Sequence, residues 1–188
     1  HVLFRRQRQM CIRDRLGGVG LSALLASIAI GSKKTIAIDL SEEKLALARE
    51  LGADHTLNPK DENFLEKIRD LTSGGVNIAV ETAGSGHALK TAYDITRRGG
   101  TTVTAGMPGP KVEITLSHLS IAAEERTIKG SYMGSCIAQR DIPKYLDMFQ
   151  TGKLPVDRLL SRKIKFEDLN EAMDRLDDAK TVREVLIP

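Results

Sequence analysis

Leu16-Gly17-Gly18-Val19-Gly20 is the stretch that most restricts the folds open to this chain. An apolar segment, Leu21 to Ile30, follows at once, and past Lys33-Lys34 comes Thr35-Ile36-Ala37-Ile38-Asp39. The order is glycine turn, helix, β-branched strand, acid. A glycine turn that opens a helix lets backbone come close to an anion, and the helix mouth offers it unpaired N–H groups. Gly17 serves the close approach, and Gly20 lets the helix pack tightly on the strand before it. Asp39 comes 19 residues after Gly20, where its carboxylate can accept hydrogen bonds from both hydroxyls of a ribose. These are the parts of a dinucleotide-binding βαβ unit. One position departs from the G-x-G-x-x-G pattern. Arg15 stands where the first glycine falls, and a side chain there costs about 1–2 kcal/mol if the turn needs positive φ.

The stretch before the turn has a different character. The chain opens on His1, and Arg5, Arg6, Arg8, Arg13 and Arg15 face only Asp14, which places +4 in the first fifteen residues and leaves −1 for the rest of a chain of net +3. No basic face remains for nucleic acid, and three Tyr and four Phe offer few stacking surfaces. Residues 6–14 resemble translated adapter sequence; a transit peptide and a phosphate-binding arm are the alternatives. Residues 1–15 are therefore set apart as a non-native or poorly ordered leader. Gln9 to Arg13 could still serve as the strand feeding the turn, although parallel central strands are usually apolar on both faces.

Hydrophobic content of 41% and charged content of 28% suit a globular chain. No apolar run approaches the roughly 20 residues of a spanning helix, so no membrane partner is expected. Cys11 and Cys136 are far apart and form no C-x-x-C, which suggests reduced thiols in a cytoplasmic protein.

Beyond Asp39, strands and helices alternate. Ser41 caps a helix whose inner face is Leu45, Leu47, Ala48 and Leu51, and His55 to Leu57 is a short strand. Phe64, Ile68 and Leu71 mark the next helix, and Val76 to Thr82 is an interior strand. Gly84-Ser85-Gly86 turns into a helix ending at Arg97-Arg98, Thr101 to Ala105 is a strand, His118 to Glu125 a short helix, and Thr127 to Tyr132 a sixth core strand. This rhythm predicts an α/β fold with a doubly wound, parallel, six-stranded sheet, the Rossmann arrangement, over residues 16–140. Residues 141–188 read as a β-α-β tail surplus to that sheet, returning toward a neighbouring domain. A ligand would lie across the carboxyl ends of the strands, where Gly20, Gly84, Gly106 and Gly134 fall; glycines also follow strands simply because chains must turn.

With these residues laid out, the chain resembles the coenzyme-binding half of the zinc-dependent, medium-chain alcohol dehydrogenases. The motifs that carry the likeness are Leu16-Gly17-Gly18-Val19-Gly20, Asp39 with Lys44, Leu51-Gly52-Ala53, Val80-Glu81-Thr82-Ala83-Gly84, the run Thr127 to Ser135, and Thr181-Val182-Arg183-Glu184-Val185. The resemblance implies that Gly17, Gly18 and Gly20 line a pyrophosphate turn and that Val19 backs a nicotinamide ring. It implies that Asp39 binds the adenosine ribose with Lys44 beside it, and that Leu40 and Thr82 flank the adenosine and nicotinamide ends. Ala105, Ser131 and Met133 would offer backbone groups to the carboxamide, and Arg183 would pair with the pyrophosphate. A carboxylate at the ribose repels a 2′-phosphate, which favours NAD over NADP. Plainer roles stay open: a solvated Lys44, a solubilising Arg183 in an edge strand, core packing for Val19, Thr82 and Ala105, a turn-forming Asp39.

In that family a zinc ion polarises the alcohol oxygen, and its ligands belong to an N-terminal domain. His1, His55, His87 and His118 show no metal spacing and Cys136 stands alone, so neither a catalytic residue nor a zinc site is expected within the 188 residues. The implied activity is hydride transfer from a small alcohol to NAD, giving a carbonyl. A zinc-free quinone or enoyl reductase and a non-catalytic nucleotide-binding module are the alternatives. The resemblance also implies a homodimer or homotetramer, with Pro110 to Tyr132 at the contact.

Overall fold

The strand β2 (Lys34–Ile38) shows how the chain is layered, because Thr35 to Ile38 are all buried. Ile36 and Ile38 pack with Leu57, Phe64, Ile68, Val76, Ala79, Ala92 and Ile95, while Ala37 packs with Leu16, Leu21, Leu24, Leu25, Leu45 and Ala48. Alternate residues of a strand point to opposite faces, so this sheet carries an apolar layer on each side. The computed structural model describes residues 9–13, 16–177 and 181–187, with the backbone alone at 9–13 and at Asp177.

Helices α1 (Gly18–Ala29) and α2 (Glu42–Glu50) supply the layer on Ala37's side. Helices α3 (Phe64–Thr72) and α4 (Gly86–Ile95) supply the other. The sheet consists of β1 (Gln9–Arg13), β2, β3 (His55–Leu57), β4 (Val76–Glu81), β5 (Thr96–Thr104) and β6 (Thr127–Gly130), and a short helix α5 (His118–Glu124) precedes β6. All pairings are parallel and the order is β3-β2-β1-β4-β5-β6. That is the doubly wound order in which the direction of winding reverses between β1 and β4, leaving a crevice at the strands' carboxyl ends. Gln9 to Arg13, with polar residues at both ends, forms the strand at this reversal, paired with β2 on one side and β4 on the other.

The helix read as reaching Arg97-Arg98 ends at Ile95, and β5 begins at Thr96. Pairing between β4 and β5 steps from Val76↔Thr96 to Ile78↔Thr101. The residues skipped include Gly99 at φ +64, a backbone shape that glycine takes at no steric cost. The sixth strand stops at Gly130, and all four of its residues are exposed because β6 is the last strand of the sheet. It is an edge, not a core strand.

The tail forms α6 (Ala138–Gln150), a 3-10 turn at Val156–Leu159, β7 (Arg162–Ile164), α7 (Leu169–Asp177) and β8 (Glu184–Leu186). Strands β7 and β8 make their own two-stranded parallel sheet. Leu154 and Leu159 are buried in the α1–α2 layer and Val182 packs against it. The Arg158 guanidinium also donates to the Glu50 carbonyl at 2.8 Å. The tail is thereby fastened to the helix that the glycine turn opens.

Candidate functional site

The strand ends are level. Register pairs Leu57 with Ile38, Ile38 with Arg13, Arg13 with Glu81, Glu81 with Thr104 and Thr104 with Gly130. Asp39, Thr82, Ala105 and Ser131 are each the next residue along their strand. Four of the residues singled out from sequence thus lie in one row on the rim of the crevice. Periodicity along a single strand cannot show this, because register is a property of pairs.

At the β2 end, Asp39 is 4% exposed. Its Oδ2 accepts the Leu16 N–H at 2.5 Å and its Oδ1 accepts the Ser41 N–H at 2.8 Å. The acid therefore reaches the glycine turn directly. A carboxylate has about four acceptor positions, so two bonds leave capacity for ribose hydroxyls. Leu40 beside it is exposed, and its carbonyl accepts from the Asn58 side chain at 3.2 Å. Lys44 is half-buried in the first turn of α2, and its N–H donates to the capping Ser41 hydroxyl.

Gly17 is the N-cap of α1 with extended backbone and no side-chain cap, whereas Ser41, Ser85 and Ser117 cap α2, α4 and α5 with their hydroxyls. The first-turn N–H groups of α1, like those of α3 and α6, have no side-chain cap, and at α1 they open on the crevice at the strand ends, which suits an anion. Gly20 is buried, as tight helix packing requires, while Val19 is 61% exposed and is no core residue. Arg183 comes to this turn from the far end of the chain. A methyl group at Gly18 would sit 3.6 Å from the Arg183 Nη2 and 3.5 Å from the Val182 carbonyl oxygen. Arg183 lies just before β8 rather than within a strand. The Ser161 hydroxyl accepts the N–H of Val182 and of Arg183, the Ser161 N–H donates back to the Arg183 carbonyl, and Glu184 is gripped by both forks of Arg175 at 2.9 and 2.7 Å. Arg15 lies outside the described residues.

At the β4 and β5 ends, Thr82 and Ala105 are half-buried. The N–H of Ala105 is committed to the Glu81 carbonyl at 2.8 Å and that of Ser131 to the Thr104 carbonyl at 2.9 Å. Their backbone N–H donors are therefore taken, which narrows the backbone groups that the resemblance implied for both to the carbonyl oxygens. Met133 is exposed at φ +48 in a short 3-10 turn, Met133–Ser135. Glu81 has no role of its own in the sequence pattern, only a place in the motif Val80 to Gly84. It is buried and bonded to both neighbouring turns. An acid ending the strand Val76 to Glu81, whose other residues include Val76, Ile78, Ala79 and Val80, is the signal that could have singled it out.

Among the described residues no group of three His, Cys, Asp or Glu side chains stands close enough to hold a metal ion. His55 lies in β3, His87 in α4 and His118 at the start of α5, and the Cys136 thiol is exposed. His1 lies outside the described residues. These residues do not fit a zinc ion. No helix among the described residues is long and apolar enough to cross a membrane.

Comparison with known proteins agrees with this geometry. The family model described as zinc-binding dehydrogenase matches residues 18–151. Geraniol dehydrogenase of Castellaniella defragrans is 34% identical over 172 residues, covering 91% of this chain and 46% of that protein. The crystal structure of benzyl alcohol dehydrogenase from Acinetobacter calcoaceticus superposes with a TM-score of 0.91 at 31% identity, over 96% of this chain and 49% of the other. A zinc-binding dehydrogenase structure from Sinorhizobium meliloti, bound to NADP, superposes with a TM-score of 0.83 at 26% identity, over 96% and 52%. The chain spans about half the length of the curated relatives it matches. From its glycine turn through its level strand ends to its matched sequence, the chain belongs to the zinc-binding dehydrogenase family.

Proposed function

We propose that this chain is the NAD-binding half of an alcohol dehydrogenase that oxidises a primary or secondary alcohol to a carbonyl compound. The observation that carries the choice of coenzyme is the buried Asp39 carboxylate bonded to the Leu16 amide at the mouth of the glycine turn. A ribose carrying free 2′- and 3′-hydroxyls supplies donors to it, whereas a 2′-phosphate brings two anions together in a buried place. The uncapped start of α1 and the Arg183 guanidinium over Gly18 suit a pyrophosphate, each by an interaction with negative charge. The carbonyl oxygens of Ala105 and Ser131 lie on the same rim and accept from an amide NH₂, which would fix how a nicotinamide ring faces its substrate. Bound there, the ring supplies the site that accepts hydride. The chain's own part is to hold, orient and desolvate it. The zinc of the family name, with the alcohol site, is assigned to the other half of the relatives' length.

Calorimetric titration of the chain with NADH and NADPH tests this reading. NADH is expected to bind more tightly, and Asp39→Ala to shrink the difference. Equal binding of the two by the wild type would remove the NAD assignment. Binding of neither would remove the coenzyme reading altogether.

The free edge of β6 supports a homo-oligomer as part of this reading. The edge strand is exposed, with Ile128 in it and Tyr132 and Met133 just past its end all open to solvent. Exposed apolar edges invite pairing with another chain, and a two-fold axis would pair β6 with its own copy. Light scattering should find a dimer or a tetramer; a monodisperse monomer at high concentration would count against this contact.

A further inference from the structure

We propose that Glu81 is a positioning residue that locks the two turns on which the nicotinamide half of the coenzyme would rest. The inference rests on the coenzyme reading above. Glu81 ends β4 and is 1% exposed. Its Oε1 accepts the N–H groups of Ala83 and Gly84, each at 2.6 Å, in the turn leaving β4. Its Oε2 accepts the Thr104 hydroxyl at 2.7 Å, at the end of β5. The backbone carbonyl of the same residue accepts the N–H groups of Ala105 and Gly106. One residue therefore holds donors from both turns, and it does so inside the protein, where an orphaned donor is costly.

The two turns press on each other above it. A methyl group at Gly106 would lie 2.1 Å from the Gly84 nitrogen, and one at Gly84, which has φ +67, would lie 2.4 Å from the Met107 carbonyl oxygen. Backbone packed this closely has two discrete threats. The turns can slide past each other, or they can spread. Glycine permits the contact but does nothing to fix it, since it is the residue with most backbone freedom. The carboxyl beneath supplies what the glycines lack, a single rigid group bonded to each side. Thr82 and Ala105, the rim residues next to the bonded positions, are held at a set separation as a result. Asp39 and Gly17 to Gly20 make no bond to Glu81 and lie on the other side of the winding reversal. The device thus governs one half of the crevice and leaves the other alone.

This separation provides the test. The full chain is titrated with NADH and with ADP-ribose, which has the adenosine and pyrophosphate but no nicotinamide. In Glu81→Ala the dissociation constant for NADH should rise about tenfold, and that for ADP-ribose should stay within about twofold, as distant sites add independently. Glu81→Gln keeps an oxygen for the two N–H groups and an NH₂ that can donate to Thr104, so it should restore NADH binding to within about twofold. If Glu81→Ala does not fold, Thr104→Val removes one of the three side-chain bonds, and a smaller loss confined to NADH is expected. Equal weakening of both ligands in whichever variant folds, or a Glu81→Gln protein as impaired toward NADH as Glu81→Ala, would overturn the proposal while leaving the coenzyme reading in place. A wild-type chain that binds neither ligand would overturn both.

Discussion

The Leu16 N–H donates to the Asp39 Oδ2 at 2.5 Å, joining residues 23 positions apart at the place where β2 ends and the turn into α1 begins. Leu16 is fully buried, so this amide has no water to fall back on. Asp39→Ala should lower stability by about 1–3 kcal/mol, the cost of leaving a buried donor unsatisfied. Asp39→Asn, which keeps one oxygen acceptor, should lose less. Urea unfolding of the two variants measures the difference, and an Asp39→Ala protein as stable as wild type would show that the bond carries no weight.

Arg183 places a guanidinium over the glycine turn. Arg183→Ala should weaken NADH and ADP-ribose alike, by about tenfold each, because a charge-assisted hydrogen bond contributes roughly 1.5–3 kcal/mol when formed and less when solvent-exposed. The salt dependence of binding should flatten in the variant. Adenosine, which has no phosphate, should bind both proteins equally; a comparable loss for adenosine would mean that Arg183 acts on the fold and not on the anion.

Gly106 and Gly84 meet backbone to backbone. Gly106→Ala would put a methyl carbon 2.1 Å from the Gly84 nitrogen, so one of the turns must move. The expected penalty is about 3 kcal/mol or more, above the usual range for an overfilled core because the obstructing atom is backbone. Gly18→Ala is the control, since its methyl group would stay 3.5 Å or more from its nearest neighbours and its thermal midpoint should move little. Similar midpoints for the two variants would contradict the close approach.

Two carboxyl groups make the tail sensitive to acid. The Arg140 guanidinium and the Ile137 N–H hold the Asp141 carboxyl well below its usual range, and the bidentate Arg175 lowers that of Glu184. A group whose pKa is depressed by folding adds stability that is complete above its unfolded pKa and disappears as pH falls through the folded one. Stability should therefore fall as pH drops below about 4, the ordinary carboxylate range. Asp141→Asn and Glu184→Gln should be less stable at neutral pH and should show a shallower decline in acid. Parallel declines in wild type and variants would show that other groups set the acid limit.

The sequence by itself determined the order of elements, the glycine turn, the acid at the tip of the second strand and the two-faced burial of the sheet. These rest on local rules: glycine where backbone must come close, β-branched runs for interior strands, Ser41 and its counterparts where helices begin. The short run Gln9 to Arg13 was legible only as a possible strand, because its place at the centre comes from pairing with β2 and β4. The exposure of β6 was hidden for the same reason, since being an edge depends on pairing, and among the described residues only β5 pairs with β6. Only the tertiary structure brought Arg183 to Gly18, through Ser161 and the Arg175–Glu184 pair, and only β4–β5 pairing brought the Thr104 hydroxyl at the end of β5 to the Glu81 carboxyl. A side chain's chemistry can be read from one position, but its partners are set by which distant segments the hydrogen-bond ladder and the apolar layers bring level with it.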